Sequence, residues 1–269
     1  MLDLSDVTLC CADTRSVSEA MYAVQRCLAV AKFGRAIFLG PDPLRLGITP
    51  PKNLEWITIP RLKDIEDYNR LMLRGLNPII KTSHVLIVQW DGFITHPHLW
   101  RTEFLNFDYI GAPWYHGRHP GYVGNGGFSI RSKKLLDALA KIYTDPREPE
   151  DHEICVNRRA ELERNHGIHF APLQIAQAFS CEYGPYRPAF GFHGMHNLAF
   201  FMDQQTLRER LMQLPAEIVG SKQTRKLIKA LIQTGRTTEA SALIRQRSEV
   251  VGWTWDQCLL MARAKIHLS

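Results

Sequence analysis

The sequence predicts an α/β fold, in which an open and mostly parallel sheet is flanked by helices, followed by an all-helical C-terminal region. The first observation is that strand patterns alternate with helical patterns over about the first 90 residues, which is the arrangement of parallel sheets. The second is that the pattern from about residue 203 onward is helical throughout. We therefore predict an α/β domain at 1–202 and a basic helical region at 203–269.

The N-terminal part of the sequence contains four predicted strands and two predicted helices. The strands are short apolar runs at 7–12, 35–39, 56–59 and 84–89. The helices have apolar residues at helical spacing and cover 16–31 and 64–73. Gly34 is expected to end the first of them. Because ligands of open parallel sheets bind at the carboxyl ends of the strands, segments 12–15 and 89–92 are the first candidates for a site.

Loops and helices make up the rest of the sequence. Segments 93–130 and 181–197 are rich in glycine, proline, histidine and aromatic residues, a composition typical of loops that carry a site. Two further helices are expected at about 132–143 and 150–164. The C-terminal helices are expected at about 204–213, 216–233, 237–247 and 254–266, punctuated by Gly220, Gly235 and Gly252.

Composition and charge limit the classes of protein to consider. Hydrophobic residues make up 45% of the 269 residues and charged residues 22%, which excludes a disordered chain, a collagen and a coiled coil. Most of the net charge of +6 comes from 203–269, with 11 Lys or Arg against 6 Asp or Glu. Through Lys and Arg at 222, 225, 226 and 229 this region could contact an anionic membrane surface; it could equally pack on the first domain or form a homodimer. Nucleic-acid binding is not expected, because no known binding motif is present.

We expect a reduced chain in the cytoplasm, with peripheral contact at the inner face of the membrane. The six cysteines have no zinc or redox spacing. The first residues, Met-Leu-Asp-Leu-Ser-Asp, are acidic and do not have the pattern of a secretory leader. No run of 18 apolar residues predicts a membrane span.

Two motifs at predicted strand ends could bind a ligand, and each also has a simpler structural interpretation. Asp91, beside Gly92, could hold Mg²⁺ or Mn²⁺ on a diphosphate, since both ions prefer oxygen ligands, or it could cap a turn. The segment 123–132 contains three glycines in four residues, which would let backbone N–H groups approach a ligand closely. Such turns are common, however, and no Gly-Lys-Ser/Thr sequence of a nucleotide-triphosphate loop follows.

Two further motifs contain ionisable residues. Glu150 and Asp151 follow a proline, as at a helix N-terminus, and either carboxylate could instead be a general base. His193 lies in a predicted loop between Gly191 and Gly194, where it could ligate a metal or make a single backbone hydrogen bond. Ten of the eleven histidines lie between residues 84 and 196, which favours a site in this part of the sequence.

Taken in order, the motifs resemble a known family. The segments are Val-Gln-Trp-Asp-Gly-Phe (88–93), Phe-Asp-Tyr-Ile-Gly-Ala-Pro-Trp (107–114), Val-Gly-Asn-Gly-Gly-Phe-Ser-Ile-Arg-Ser (123–132), Pro-Glu-Asp (149–151) and Phe-Gly-Phe-His-Gly (190–194). Over about residues 5–200 the sequence resembles a family of bacterial and viral proteins of unknown function that is similar to GT-A-fold nucleotide-sugar glycosyltransferases. The resemblance implies a GT-A-like, Rossmann-like sheet.

The resemblance also implies roles for the matching positions. Asp91 matches the last acid of the Asp-x-Asp metal motif. Together with His193 it implies a Mn²⁺ or Mg²⁺ site. The first acid of the motif is replaced here by Gln89, so the site departs from the family pattern at this position. Asp151 and Glu150 match the acidic pair that supplies the catalytic base of inverting enzymes. Implied donor- or nucleotide-binding residues are Ala12, Asp13, Thr14, Arg15, Gln89, Trp90, Asp91, Gly126 and Gly127. Expected acceptor-binding residues are Trp114, Tyr115, Phe128 and Ser129, with aromatic rings as platforms for sugar faces.

We therefore expect a hexosyltransferase-type enzyme that moves a sugar from a nucleotide-diphosphate donor, foremost a UDP-sugar, to a hydroxyl of a saccharide or lipid-linked saccharide. Inversion is expected, with Asp151 or Glu150 as the base, and a retaining mechanism stays open if neither residue is the base. By analogy alone, the pathway is synthesis of a bacterial surface polysaccharide such as capsule or O-antigen. Two alternatives stay open, a metal-dependent hydrolase and a noncatalytic carbohydrate- or lipid-binding module. Tight zinc in the purified protein would favour the first, and an Asp151→Asn variant without any effect would favour the second.

Overall fold

The computed structural model of the chain describes residues 1–115, 122–183 and 186–266. It has the predicted mixed α/β arrangement in a first compact unit, Met1–His193, and helices in a second, Gly194–Ser269. The domain boundary predicted at residue 202 lies further along the chain, inside the second unit.

A six-stranded sheet forms the centre of the first unit. Its strands are β1 (Leu2–Ala12), β2 (Ala31–Gly40), β3 (Glu55–Thr58), β4 (His84–Val88), β5 (Tyr109–Ile110) and β6 (Phe128–Ser132). They lie in the order β3–β2–β1–β4–β6–β5, with β1 to β4 parallel, β6 antiparallel to β4, and β5 antiparallel to β6. The open, mostly parallel sheet predicted from the sequence is thus confirmed.

Helices and short turns flank this sheet. The helices of the first unit are α1 (Val17–Val30), α2 (Ile65–Arg70), α3 (Lys133–Leu139), α4 (Glu150–His152), α5 (Arg159–His166) and α6 (Leu173–Phe179). Single π-helical turns follow α2 and α4, at Leu71–Gly75 and Glu153–Asn157, and 3₁₀ turns lie at Leu44–Leu46, Pro97–Leu99 and Thr102–Asn106. Two strands, β7 (Ser180–Cys181) and β8 (Gly191–Phe192), form a separate parallel pair.

The inner strands are buried because both faces of the sheet are covered. Residues 7–12 of β1 and 85–88 of β4 are all buried, as is usual for parallel strands with helices on either side. One core cluster joins Cys10, Ile37 and Ile87 of the sheet to Met72 and Leu136 of the helical layer. This packing fixes the carboxyl ends of β1 and β4 relative to each other.

Gly34 has a different role from the one predicted. The first helix ends at Val30 and β2 begins at once, so Gly34 lies inside a strand. A Cβ atom at this position would lie 2.1 Å from the carbonyl oxygen of Ser5, where the pairing of β1 and β2 shifts register. The glycine therefore permits a close approach of two strands rather than ending a helix.

The helix predicted at 150–164 is interrupted by the buried side chain of Glu153. Its carboxylate accepts hydrogen bonds from the Asp145 backbone N–H (3.1 Å), Asn157 Nδ2 (2.7 Å) and Arg158 Nε (3.0 Å). The π-helical turn 153–157 brings these donors together, and α5 starts only at Arg159. Local periodicity does not report such a long-range polar contact.

The second unit contains six helices within its described residues. They are α7 (Leu198–Phe201), α8 (Gln204–Met212), α9 (Ala216–Gly220), α10 (Lys222–Gln233), α11 (Thr237–Val251) and α12 (Trp255–Ile266), preceded by a 3₁₀ turn at Met195–Asn197. The segment predicted as one helix at 216–233 is divided at Ser221, whose hydroxyl accepts the Thr224 N–H and caps α10. None of the described helices is long and apolar enough to cross a membrane.

Candidate active site

The candidate site lies where three neighbouring strands of the main sheet meet the small β7–β8 pair. Cys11 of β1 and Phe128 of β6 both pair with Val88, the last residue of β4. The register therefore brings the residues just beyond β1, just beyond β4 and just before β6 to one edge of the sheet. These are the segments in which the sequence predicted donor-binding residues.

Two acidic or basic side chains reach this edge from the β7–β8 pair. Cys181 pairs with Phe192, so the next residue of each strand, Glu182 and His193, lie side by side. The distance from His193 Nδ1 to Glu182 Oε1 is 3.3 Å. Asn125 lies in the segment 124–127, which we call the glycine-containing loop. It donates a hydrogen bond to the other oxygen of the Glu182 carboxylate.

His193 lies between the Glu182 carboxylate and two oxygen atoms that follow β4. Its Nε2 atom is 3.1 Å from Gln89 Oε1 and 3.3 Å from Asp91 Oδ1. Burial alone would lower the pKa of His193, but the carboxylates of Asp91 and Glu182 outweigh it and raise that pKa well above its usual value. The structure thus brings the two predicted metal ligands, Asp91 and His193, together.

Gln89 is oriented by Tyr68, a residue that sequence analysis did not select. The Gln89 amide Nε2 donates to the Tyr68 hydroxyl at 2.7 Å, which leaves its Oε1 atom facing His193. Gln89 therefore presents an oxygen where the Asp-x-Asp pattern has a carboxylate. No group of three or more His, Cys, Asp or Glu side chains that could hold a metal ion occurs among the described residues, and the third group here is an amide.

The glycines of the 124–127 loop are required by close contacts with the site. A Cβ atom on Gly127 would lie 2.1 Å from His193 Nε2, and one on Gly126 would lie 1.6 Å from Glu150 Oε1. Gly92 has the same function beyond β4, since its Cβ would lie 2.8 Å from the Phe192 carbonyl oxygen. Any side chain at these positions would displace a predicted site residue.

The two carboxylates of the predicted acidic pair lie in different environments. Glu150 is buried and forms an ion pair with Arg131, whose side chain is fully buried, at 2.8 to 2.9 Å. Burial raises the pKa of Glu150, and Arg131 opposes that rise. Asp151 is only half-buried, and its Oδ2 atom accepts a hydrogen bond from the Gly126 N–H at 3.3 Å. Of the two, Asp151 has the carboxylate that can face a substrate.

The predicted acceptor-binding residues fall into two groups. Trp114 and Tyr115 are half-buried; the Trp114 ring packs against Gly124, and the Tyr115 hydroxyl accepts from Gln177 Nε2 at 3.1 Å. Phe128 and Ser129 are fully buried. The Phe128 ring belongs to a core aromatic cluster and the Ser129 hydroxyl donates to the Gly126 carbonyl, so this structure gives an acceptor no access to either side chain. Trp90 is half-buried.

The predicted nucleoside segment 12–15 is tied to the loop that follows β3. Asp13 stabilises the turn that precedes α1, because its Oδ1 accepts the backbone N–H groups of Arg15 (2.7 Å) and Ser16 (2.6 Å). Burial raises the pKa of Asp13. Thr14 Oγ1 accepts the Leu62 N–H at 3.0 Å, and the Arg15 guanidinium donates to the Leu62 and Lys63 carbonyls.

The loop after β3 also borders a cavity of about 680 Å³. Segment 59–63 forms one wall, and α2 with the π-helical turn after it forms the other. Four of the lining residues are basic, Arg61, Lys63, Arg70 and Arg74, against one acid, Asp67. A cavity of this size and charge is suited to an anionic small molecule.

Sequence reasoning missed Glu182 and the positioning role of Tyr68. Glu182 lies in a loop whose composition was noted, but Glu-Tyr-Gly-Pro is no motif, and its importance depends on the two-residue pairing of β7 with β8. Residues 184–185 of this loop, and 116–121 of the loop after Tyr115, lie outside the described residues.

The chain is similar to several solved glycosyltransferase structures at low identity. The mannosyltransferase PcManGT from Pyrobaculum calidifontis, solved in complex with GDP-Man and Mn²⁺, is 10% identical, with 98% of this chain and 81% of that chain covered and a TM-score of 0.42. A glycosyltransferase involved in glycosylation of the major capsid of PBCV-1 is 12% identical, with 70% and 91% covered and a TM-score of 0.41. The glycosyltransferase GlyE of Streptococcus pneumoniae TIGR4, in its apo form, is 11% identical, with 73% and 54% covered and a TM-score of 0.38.

Among curated protein sequences, none matches the chain. A family model does match, over residues 53–193, which is just over half of the chain. That stretch contains β3 to β8 and each of Gln89, Asp91, Asp151, Glu182 and His193. The chain belongs to the family described as protein of unknown function DUF5672, as the resemblance of its motifs to such a family predicted.

Proposed function

We propose that the protein is a glycosyltransferase that moves a sugar from a nucleotide-diphosphate donor to an acceptor hydroxyl. The observation that carries the proposal is that two oxygen atoms, Gln89 Oε1 and Asp91 Oδ1, both lie within 3.3 Å of His193 Nε2. This cluster lies against the glycine-containing loop that also binds Asp151. A cation-binding group and a carboxylate base are the two components that such a transfer needs.

The donor set of this cluster fits Mn²⁺ or Mg²⁺. Carboxylate and amide oxygens suit both ions, and imidazole nitrogen is a common ligand of transition metals. Two ligands that bind one ion at about 2.1 Å and at right angles lie about 3.0 Å apart, close to the separations seen here. Glu182, on the far nitrogen of His193, is the carboxylate that orients a ligating histidine in many metal sites.

In the proposed reaction each residue has a defined task. A bound divalent cation would offset the charge that grows on the leaving diphosphate. The bond between the anomeric carbon and the diphosphate oxygen breaks, and the acceptor oxygen forms the new bond to that carbon. Asp151 accepts the proton of the acceptor hydroxyl, which gives inversion at the anomeric carbon. Gly126 and Gly127 leave room for Glu150 and His193, and the Gly126 N–H binds Asp151. Trp114 and Tyr115 offer aromatic faces to a sugar.

The nucleotide part of the donor is assigned to the segment 12–15 and the basic cavity beside it. The contacts of Arg15 with Leu62 and Lys63 connect the end of β1 to this cavity. A nucleoside diphosphate has the negative charge and the size that the cavity accommodates. A UDP-sugar is the first donor to test, with GDP-sugars beside it.

The acceptor and the pathway stay predictions of the resemblance. They are a saccharide or lipid-linked saccharide and the synthesis of a bacterial surface polysaccharide. The cytoplasmic location and the homodimer predicted from the sequence likewise stay predictions.

The test of the proposal is thermal stabilisation by nucleoside diphosphates and nucleotide sugars, each with Mn²⁺, Mg²⁺ or EDTA. A ligand at 100 times its dissociation constant adds about 2.7 kcal/mol to the free energy of unfolding, which gives a readable rise in Tm. We expect one nucleotide to stabilise selectively, and more strongly with a divalent cation than with EDTA. Absence of any stabilisation across the panel would contradict the proposal, and the noncatalytic binding module would then take its place.

A further inference from the structure

The turn between α11 and α12 exposes an unusual amount of apolar surface. Trp253 is 59% exposed and Trp255 is 83% exposed. Three aliphatic residues next to them, Val250, Val251 and Leu259, are exposed as well. We call these five residues the tryptophan turn. Single exposed apolar residues are normal, but a contiguous group that includes two tryptophans marks an interaction surface.

The tryptophan turn is held by hydrogen bonds beneath it. Gln257 is buried; its Nε2 donates to the Gly252 carbonyl at 3.0 Å, and its Oε1 accepts from the Ser248 hydroxyl at 2.7 Å. Gly252 has φ of +76°, a conformation that lets α11 end and the chain reverse into α12. The two tryptophans thus project from an ordered junction.

The inner and outer faces of α12 are clearly different. Gln257, Leu260 and Ala264 are buried at helical spacing. Trp255, Leu259 and Arg263 are exposed at positions four residues apart, so they form one stripe. An apolar stripe that ends in a cation is the pattern of a helix lying at a membrane surface.

The helices of this part of the chain carry an excess of positive charge. The helices α10, α11 and α12 together contain eight Lys or Arg against three Asp or Glu. Asp256, next to Trp255, forms an ion pair with Arg225 at 2.5 Å. That hydrogen-bonded ion pair is the main cause of the lowered pKa of Asp256, and the charges of Lys229 and Arg247 lower it further. The acid is therefore outnumbered, and Glu249 is the other exposed acid of this part.

We propose that the tryptophan turn docks the protein onto a lipid surface that carries anionic headgroups. Tryptophan is enriched at membrane–water interfaces, because its ring is apolar and its N–H can stay hydrated. The surrounding Lys and Arg residues supply attraction to anionic lipid. The proposal is independent of the proposed catalytic function, which uses residues of the other unit alone.

The structure changes the membrane contact that the sequence predicted. That prediction relied on the Lys and Arg residues of α10, between which lie apolar residues that a membrane contact would also need. Leu227, Ile228 and Leu231 are fully buried inside the helical unit, so they have no surface to offer a membrane. The apolar part of the contact belongs to the tryptophan turn instead. The charge that α10 contributes comes from Lys229, since Arg225 is paired with Asp256.

The experiment is co-sedimentation of the full chain with vesicles of phosphatidylcholine alone and of an equal mixture with phosphatidylglycerol. We expect binding to the mixed vesicles that weakens with added salt, and a blue shift of tryptophan fluorescence on binding. The double variant Trp253→Ala/Trp255→Ala should lose at least about tenfold in the partition coefficient, because apolar surface drives insertion. Each of Lys229→Gln and Arg263→Gln should lower it about fivefold on mixed vesicles only.

Met212→Ser is the matched control, since Met212 is an exposed apolar residue on α8 of the same unit, outside the turn. Each variant is compared with wild type by circular dichroism, so that loss of binding is not loss of fold. Lack of binding by the wild-type chain, or equal binding by the double variant, would overturn the proposal. Light scattering supplies a further criterion: a wild-type dimer that dissociates in the double variant would assign the turn to self-association instead.

Discussion

At the scale of single residues, the site separates two neighbouring acids into different tasks. Glu150 binds Arg131 inside the protein, and removal of either partner would leave a buried charge uncompensated. Asp151 is half-buried, and the glycine-containing loop supplies one hydrogen bond to its Oδ2 atom. We therefore give the proposed role of the base to Asp151, although the two residues are equivalent in sequence pattern.

The Asp151→Asn variant tests this assignment. It should lower kcat by about 10²- to 10⁴-fold, because an amide cannot accept the hydroxyl proton in the transition state. The dissociation constant of the donor should change little, since the base acts on the acceptor. Steady-state kinetics and donor titration provide the measurement, and Glu148→Gln, at an exposed acid just before α4, is the control. A loss confined to donor affinity would show that Asp151 binds the donor instead.

Glu182 is the second residue that the structure adds to the sequence interpretation. Because its contact with His193 is made to Nδ1, the nitrogen that faces away from Gln89 and Asp91, we expect Glu182 to act as a positioning residue. Glu182→Gln should weaken Mn²⁺ binding about 10- to 100-fold. Titration with Mn²⁺ followed by electron paramagnetic resonance measures this, and Tm should stay close to that of wild type. Glu161→Gln, on α5, is the charge-matched control, and equal Mn²⁺ affinity in both variants would refute the role of Glu182.

At the scale of elements, the glycine-containing loop is the part that holds the site together. Its two glycines, Gly126 and Gly127, have no side chain where Glu150 and His193 approach the loop. Gly127→Ala should push His193 away from Gln89 and Asp91, since the new Cβ would overlap Nε2. We expect a loss of roughly 1–3 kcal/mol in the free energy of unfolding, from overpacking, together with loss of Mn²⁺-dependent donor stabilisation.

A glycine elsewhere in the chain provides the control for this substitution. A Cβ on Gly220 would meet only methyl groups of Val250 and Val251, at 3.4 Å. Gly220→Ala should therefore be neutral or stabilise by up to about 1 kcal/mol, and ligand binding should not change. Urea unfolding and the nucleotide panel measure both variants. Wild-type behaviour of Gly127→Ala would mean that the loop does not position His193.

The sequence predicts the elements of the sheet better than the connections between them. The buried strands are clear because short apolar runs next to turn residues have few other interpretations, and β1, β2, β3 and β4 lie close to the predicted positions. The role predicted for Gly34 was wrong, since a glycine that ends a helix cannot be told in a single sequence from one that lets two strands approach. Glu182 was missed because its neighbour His193 is reached through the β7–β8 pair, whose two-residue strands carry no periodicity.

At the scale of the whole molecule, chemistry and positive charge are divided between the two units. The residues of the candidate site, the basic cavity and the whole family match lie in Met1–His193. The exposed tryptophans and the excess of Lys and Arg lie in the helical unit. The two proposals can consequently fail separately, since vesicle binding and nucleotide binding are read on different residues.

The six cysteines give a readout for both units in one experiment. Cys258, on α12, is exposed, whereas Cys10, Cys11, Cys27, Cys155 and Cys181 of the first unit are buried. Burial raises the pKa of Cys10 and of Cys27 to about 12, which leaves almost no thiolate at neutral pH. We expect one thiol to react rapidly with a colorimetric disulfide reagent in the native protein and six to react in denaturant.

As the urea concentration rises, the five slow thiols should become reactive together, because they report opening of the first unit. A bound nucleotide should delay their reaction without slowing that of Cys258. A second fast thiol in the native protein would contradict the burial of the five cysteines of the first unit. Reaction of fewer than six thiols in denaturant without reductant would contradict the reduced state of the chain.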